Sequence, residues 1–150
     1  MSIIEKPQMI LVVEDSDDDF FATERAFKKA NLRNPVQRCA TGDEALDFLF
    51  QRGAFAHRQG LPNPSLILLD LNLPSLDGRQ VLHAIKSDSK LHRIPVVVLT
   101  TSVAEQDIAR CYDEGANSYI HKPVDMLRFV EAIIRLKEYW FEVAVLPKVG

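Results

Sequence analysis

Cysteine is scarce in this chain. The two that occur, Cys39 and Cys111, form no CxxC pair and no ligand cluster with histidine. Each reads as a small buried or half-buried thiol rather than part of a metal site. The histidines, His57, His83, His92 and His121, share no metal-ligand spacing. The glycines form no GxGxxG and no Walker loop, so the familiar phosphate cradles are missing. An excess of basic residues is missing too: the formal net charge is −3, which argues against non-specific binding of nucleic acid. No apolar run approaches the roughly 18 residues that a membrane span needs, and no apolar stretch behind basic residues marks a signal peptide. These absences lead to the expectation of a soluble, cytoplasmic protein with no nucleic-acid or membrane partner. At 150 residues and 47% hydrophobic content, one domain with a sizeable core is the simplest organisation.

What the chain does have is a set of short apolar runs that stop abruptly at polar groups. Leu66 to Leu69 stops at Asp70, and Pro74 and Gly78 follow. A short unbroken apolar run bounded by turn residues reads as a strand buried on both faces. Met9 to Val13 stops at Glu14 and Asp15; Val96 to Leu99 stops at Thr100. Two weaker strands read at Val36 to Ala40, interrupted by Gln37 and Arg38, and at Ser118 to His121, which ends at Lys122-Pro123.

Helical patterns lie between and after these strands. The first spans about Asp17 to Leu32, with Phe20, Thr23, Phe27 and Ala30 on one face and Phe21 beside them. Others open at Thr41-Gly42, near Asp77, near Val103 and at Asp125, the last running to about Glu142. That last helix carries more apolar residues than a single narrow stripe needs, so part of its surface is expected to face a partner. The stretch from Ala54 to Pro64 reads as a long loop, a feature that is often functional or mobile in a compact domain. Strand and helix thus alternate, which predicts right-handed crossovers and a parallel sheet covered on both sides. The expected fold is α/β: one doubly wound, flavodoxin-like sheet of five parallel strands in the order 2-1-3-4-5, flanked by five helices. Residues 1–8 form a lead-in, 9–141 the domain and 142–150 a tail.

In such a sheet the working groups sit at the C-terminal strand ends. Taken alone, Asp70 could merely cap the helix near Asp77 or solvate a strand end. The other strand ends change its meaning, because Glu14, Asp15, Asp70, Thr100 and Lys122 would share one crevice. Two unit charges about 4 Å apart repel by about 4 kcal/mol at an effective dielectric near 20, so the acids need raised pKa values or a cation. A hard ion such as Mg²⁺ suits Asp15, Asp70, the backbone carbonyl of Asn72 and, through water, Glu14. Asp70 can act as a carboxylate nucleophile toward a phosphoryl group. Lys122 and the metal would offset phosphoryl charge, and Thr100 would donate a hydrogen bond. A surface charge beside a turn is the bland alternative for Lys122. Lys122-Pro123 also suits a cis bond that aims the lysine. Asp17, Asp18 and Asp19 read as a solvated helix start, and His121 as a neighbour of the site.

The motifs ILVVED, LLDLNLPSLDG, VVVLTTS and YIHKPV, in that order and at strand ends, resemble the receiver domain of bacterial two-component response regulators over Met9 to Tyr139. EALDFLF, the long loop before PNPSLILLDLNLP and the tail YWFEVAVLP are similar to the small stand-alone regulators that serve cyanobacterial phytochromes. The resemblance implies that Asp70 accepts a phosphoryl group from a sensor histidine kinase, with a phytochrome as the candidate. It implies Glu14 and Asp15 as the acidic pair, Thr100 as the switch hydroxyl, Tyr119 as the aromatic switch and Lys122 as the family's lysine. It further implies self-phosphorylation and autodephosphorylation with Mg²⁺, without turnover of an external metabolite. An unidentified downstream protein would read the switched surface. Too few residues follow the last helix for a DNA-binding module. The aromatic tail either folds back onto its own domain or joins a two-fold homodimer through Tyr119, Trp140 and Phe141.

Three other functions stand beside this one. An aspartate-nucleophile phosphatase would want an acid where Asn72 stands. A flavodoxin-like nucleotide binder would want Ser, Thr and Gly, not acids, after the first strand. A scaffold that has lost its chemistry would not need the set Asp15, Asp70, Thr100 and Lys122.

Overall fold

The computed structural model describes residues 8–101, 104–122 and 126–143, and the side chains of all of these except 126 and 141–143. The strands are β1 (Ile10–Val13), β2 (Val36–Cys39), β3 (Leu66–Leu69), β4 (Val96–Thr100) and β5 (Ser118–His121). They form one parallel sheet in the order β2-β1-β3-β4-β5, as the alternating pattern predicts. The register aligns Val13 with Cys39 on one side and Leu69 on the other. The residues that follow β1 and β3 therefore leave the sheet level with each other.

The unbroken apolar runs have a direct cause. Every residue of β1, β3 and β4 is buried, because helices cover both faces of the sheet. Alternate side chains feed two cores. Leu11, Val13, Ile67, Leu69, Val96 and Val98 pack with Ala45, Phe48 and Leu49 of α2 (Gly42–Phe50) and with Val81, Leu82 and Ile85 of α3 (Gly78–Ser87). Cys111 of α4 (Glu105–Asp113) joins that core. Ile10, Val12, Leu66, Leu68, Val97 and Leu99 face the other way. They meet Phe20 and Phe27 of α1 (Asp17–Lys29) and Phe129, Ile133 and Leu136 of α5 (Met126–Lys137). Each such aliphatic side chain, fully buried, contributes about 1.5–3 kcal/mol. The edge strands β2 and β5 are only part-buried, which is why their sequences are weaker.

Local signals start and stop the helices. The Ser16 hydroxyl accepts from Asp19 N–H and caps α1, and acids fill its first turn where the helix dipole favours them. Thr41 caps α2. Asp77 caps α3 through a reciprocal pair with Gln80. Gly115, with φ of 99°, follows the end of α4 as a left-handed C-terminal residue.

The structure corrects several expectations. Helix α1 ends at Lys29, short of Leu32. Phe21 is 56% exposed: its one-residue offset from Phe20 turns it about 100° away from the core. The stretch expected as loop contains a short 3₁₀ helix, Gly53–Arg58. Arg58 is buried there, with its guanidinium 3.8 Å from the Phe48 ring centroid and donating to the Pro62 carbonyl at 3.0 Å. The last helix continues beyond Lys137 as a π-helical segment, Glu138–Val143. The supposed start of α4 at Val103, the Asp125 cap and the cis Lys122-Pro123 bond fall outside the described residues.

One glycine ties a helix to the end of β3. A Cβ on Gly78 would lie 2.3 Å from the Asp70 carbonyl oxygen and 2.6 Å from Leu71 Cα. Both are backbone atoms and cannot swing aside. Gly78→Ala is therefore expected to destabilise the fold by about 1–3 kcal/mol, read as a lower urea midpoint with an unchanged m-value. An unchanged midpoint would show that α3 can draw back from the strand end without cost.

Candidate functional site

The sheet register delivers the acids to one place. Asp70 N–H donates to the Val13 carbonyl at 3.1 Å, and Glu14 N–H to the Cys39 carbonyl at 3.0 Å. These bonds fix the first residue beyond β1 and β3 as firmly as the strands themselves. Glu14, Asp15 and Asp70 each present a carboxylate oxygen within 4.8 Å of the others. Glu14 and Asp70 are buried, whereas Asp15 is exposed. Asp70 Oδ1 accepts from Asn72 N–H at 3.0 Å, so the turn that follows β3 orients the carboxyl group.

Lys122 arrives from the end of β5. Its backbone N–H donates to the Thr100 carbonyl at 2.6 Å, which sets where the side chain begins. The ammonium then donates to Glu14, to Asp19 Oδ2 at 2.9 Å and to Asp70 Oδ2 at 3.2 Å. The bland reading of Lys122 as a surface charge is thereby excluded, since it is buried. Burial alone would lower its pKa. The hydrogen bonds with Glu14 and Asp19 and the charges of Glu14 and Asp70 outweigh that and hold it above the ordinary lysine value. Burial pushes Glu14 up to about 7, with Lys122 pulling down and Asp70 adding to the rise.

Thr100 is fully buried at the end of β4. The Asn72 side-chain amide donates to its hydroxyl at 3.5 Å. Tyr119 on β5 is half-buried and packs against the core that holds α2, α3 and α4. His121 is exposed, with Nε2 3.1 Å from the Thr101 carbonyl, and so borders the site without entering it.

Asp19 corrects the sequence reading. It is not simply part of a solvated helix start, because it binds Lys122. It stands in the first turn of α1, next to the segment that carries Glu14 and Asp15. Asp17 instead pairs with Arg38 at 2.7 Å. Trp140 is half-buried against the α1/α5 core and meets Tyr139 edge-on, with ring centroids 5.0 Å apart. This is the folded-back arrangement for Trp140, while Tyr139 remains 55% exposed. The side chain of Phe141 lies outside the described residues.

Three carboxylates therefore surround one ammonium, and Asp15 stands beside two of them. The donor set of Glu14, Asp15 and Asp70 is all oxygen and strongly anionic, the chemistry that a hard divalent cation takes. Asp70 is held in place, with a buried hydroxyl and a buried ammonium close by. That arrangement suits a carboxylate that receives a phosphoryl group.

Comparison with known proteins gives a consistent outcome. A sequence model of the response regulator receiver domain matches residues 10–134. The response regulator Rcp1 of Synechocystis sp. is 38% identical over 94% of this chain and 94% of its own length. The crystal structure of the phosphorylated cyanobacterial phytochrome response regulator RcpA superposes with a TM-score of 0.88 at 40% identity, covering 95% of this chain and 100% of that one. The Mn²⁺-bound form of Rcp1 gives a TM-score of 0.85 at 38% identity, covering 94% of this chain and 99% of that one.

The raised pKa of Glu14 has a measurable consequence. A divalent cation beside Glu14 favours its ionised form, so binding displaces the proton held there. With Glu14 at about 7, divalent-cation uptake is expected to release on the order of half a proton at pH 7 and little at pH 9. Affinity then rises with pH from 6 to 8 and flattens above. Titration calorimetry in two buffers of different ionisation heat measures the release. A release that stays constant from pH 6 to 9 would contradict the assignment.

Proposed function

The chain belongs to the response regulator receiver family, and we propose that it is a switch turned on by phosphorylation of Asp70. It is a two-component signalling protein rather than a classical metabolic enzyme. The observation that supports the Asp70 assignment best is the meeting of Glu14, Asp15, Asp70, Thr100 and Lys122 at one sheet edge. The phosphoryl donor is a phosphohistidine on a sensor kinase, of the phytochrome type in view of the likeness to RcpA and Rcp1.

In the transfer, an Asp70 carboxylate oxygen forms a bond to phosphorus as the phosphorus–nitrogen bond to histidine breaks. The electron pair leaves with the imidazole, which is completed by a proton. Lys122 lies 3.2 Å from Asp70, in reach of a phosphoryl oxygen. Glu14, Asp15 and Asp70, with the Asn72 carbonyl, hold a divalent cation, taken as Mg²⁺. The cation supplies neutralisation of phosphoryl charge. The Mn²⁺-bound state of Rcp1 and the all-oxygen donor set support it. Thr100 hydrogen-bonds a phosphoryl oxygen and leaves its present partner Asn72. Tyr119, on the adjacent edge strand, shifts with it and alters the surface of α4, β5 and α5 that a downstream protein reads. A water oxygen bonding to phosphorus as the Asp70 oxygen–phosphorus bond breaks releases inorganic phosphate, restores the carboxylate and ends the signal slowly. The cytoplasm, where histidine kinases present their phosphoryl groups, is the compartment this reading requires.

We extend the proposal to a two-fold homodimer that involves Tyr119, Trp140 and Phe141. Leu127 of α5 and Tyr139 of the segment that follows it are exposed, at 71% and 55%, and give a partner apolar area to cover.

Incubation with Mg²⁺ and acetyl phosphate is expected to add one phosphoryl group to the wild-type chain by intact mass. Asp70→Asn is expected to take up none. A folded, Mg²⁺-binding wild type that stays unmodified would move the protein to a scaffold role. For the dimer, Tyr139→Ser with Phe141→Ser leaves the packed Trp140 in place and is expected to shift the sedimentation mass toward that of a monomer. A dimer that persists would remove the terminal aromatics from the interface.

A further inference from the structure

Arg38 stands outside the phosphoryl-transfer set but binds the segment that carries two of its acids. It sits on β2, next to the strand that delivers Glu14 and Asp15. Its Nε donates to the Glu14 carbonyl at 3.1 Å, and Nη2 to the Asp15 carbonyl at 3.3 Å. Nη1 donates to Asp17 Oδ1 at 2.7 Å. The guanidinium also lies over the Phe20 ring, 4.8 Å from its centroid. One planar cation thus grips three successive points of the segment from Glu14 to Asp17 and rests on the first turn of α1. The side chain is 22% exposed, so these bonds are partly shielded from water.

From this geometry we infer that Arg38 is a positioning residue for the divalent-cation site, fixing the backbone on which Glu14 and Asp15 stand. The inference rests on the reading of Glu14, Asp15 and Asp70 as cation ligands. The carbonyls of this segment have no strand partner beyond β1, and unpaired carbonyls turn to water and loosen the segment. The guanidinium fork satisfies two of them at once and fixes their spacing, which a lysine ammonium cannot do from one point. Its third bond, to Asp17, ties the same guanidinium to the first turn of α1.

The sign of the effect separates positioning from charge. Arg38 is a cation near an anionic site, so by charge alone its removal would tighten divalent-cation binding. A positioning role predicts the reverse. Mn²⁺ titration, with the free ion followed by its paramagnetic resonance signal, is run on wild type, Arg38→Gln, Arg38→Lys and Asp15→Asn. Thermal melts in EDTA run alongside. Arg38→Gln is expected to weaken Mn²⁺ binding by about tenfold, the scale at which outer-shell partners tune metal sites. Arg38→Lys, which keeps the charge but loses the fork, is expected to weaken it as well, and decides the matter if the glutamine variant does not fold. Unchanged or tighter binding in the folded variants, with only a lower melting temperature, would overturn the inference. A wild type that binds no better than Asp15→Asn would overturn the cation reading itself, and with it this inference.

Discussion

Everything at the working edge of this sheet depends on one buried ammonium. Lys122 stands among Glu14, Asp19 and Asp70 and offsets their repulsion only in part, since Asp15 stands beside the same cluster. Buried ion pairs of this kind are poor sources of net stability, because desolvation consumes most of the attraction. Removing either partner is nevertheless costly, because it strands a charge. The cluster is therefore an arrangement that the rest of the fold supports. It persists because two apolar layers and a rigid sheet hold its members where they would not gather on their own.

The support is geometric before it is energetic. β1 and β3 are buried on both faces and paired on both sides, so neither can slide without moving whole layers of Leu, Ile and Val. A one-residue slip would exchange the two cores. The bonds from Glu14 and Asp70 into neighbouring strands pass this rigidity to the acids themselves. Gly78 then brings α3 against the Asp70 carbonyl at a distance no side chain would allow. The carboxylates meet because the register leaves them no other place.

Most of this was legible in the sequence, for a physical reason. Strands covered on both faces need unbroken apolar runs, and such runs are easy to see when each stops at a charged or hydroxyl residue. Glu14, Asp70 and Thr100 stand out in that way, and Lys122 by its place after a weaker strand. What escaped was carried by side chains whose partners are distant in sequence. Asp19 looked like one acid among three at a helix start, and its bond to Lys122 exists only after β5 has joined the sheet. Arg58 lies in the stretch that reads as loop, yet its guanidinium lies over the Phe48 ring, as basic side chains do when an aromatic face is near. Phe21 was assigned to the core because it adjoins Phe20, where helical geometry places it in solvent.

The two sides of the sheet differ in how readily they can move. On the β1–β3 side, β2 closes the edge, and its polar Arg38 bonds the acidic segment. The residue that makes β2 a weak strand by composition thus makes its neighbourhood firm. On the other side, β5 is paired only with β4, its residues are part-buried or exposed, and Tyr119 is half-buried on it. Shifting an edge strand disturbs one ladder and little apolar area; shifting a central strand disturbs two ladders and both cores. On the proposed function, a site that holds its acids still while responding at Thr100 gains from this asymmetry. The acids stand where the sheet is stiff, and rearrangement costs least toward β5, which carries Tyr119 and ends beside Lys122.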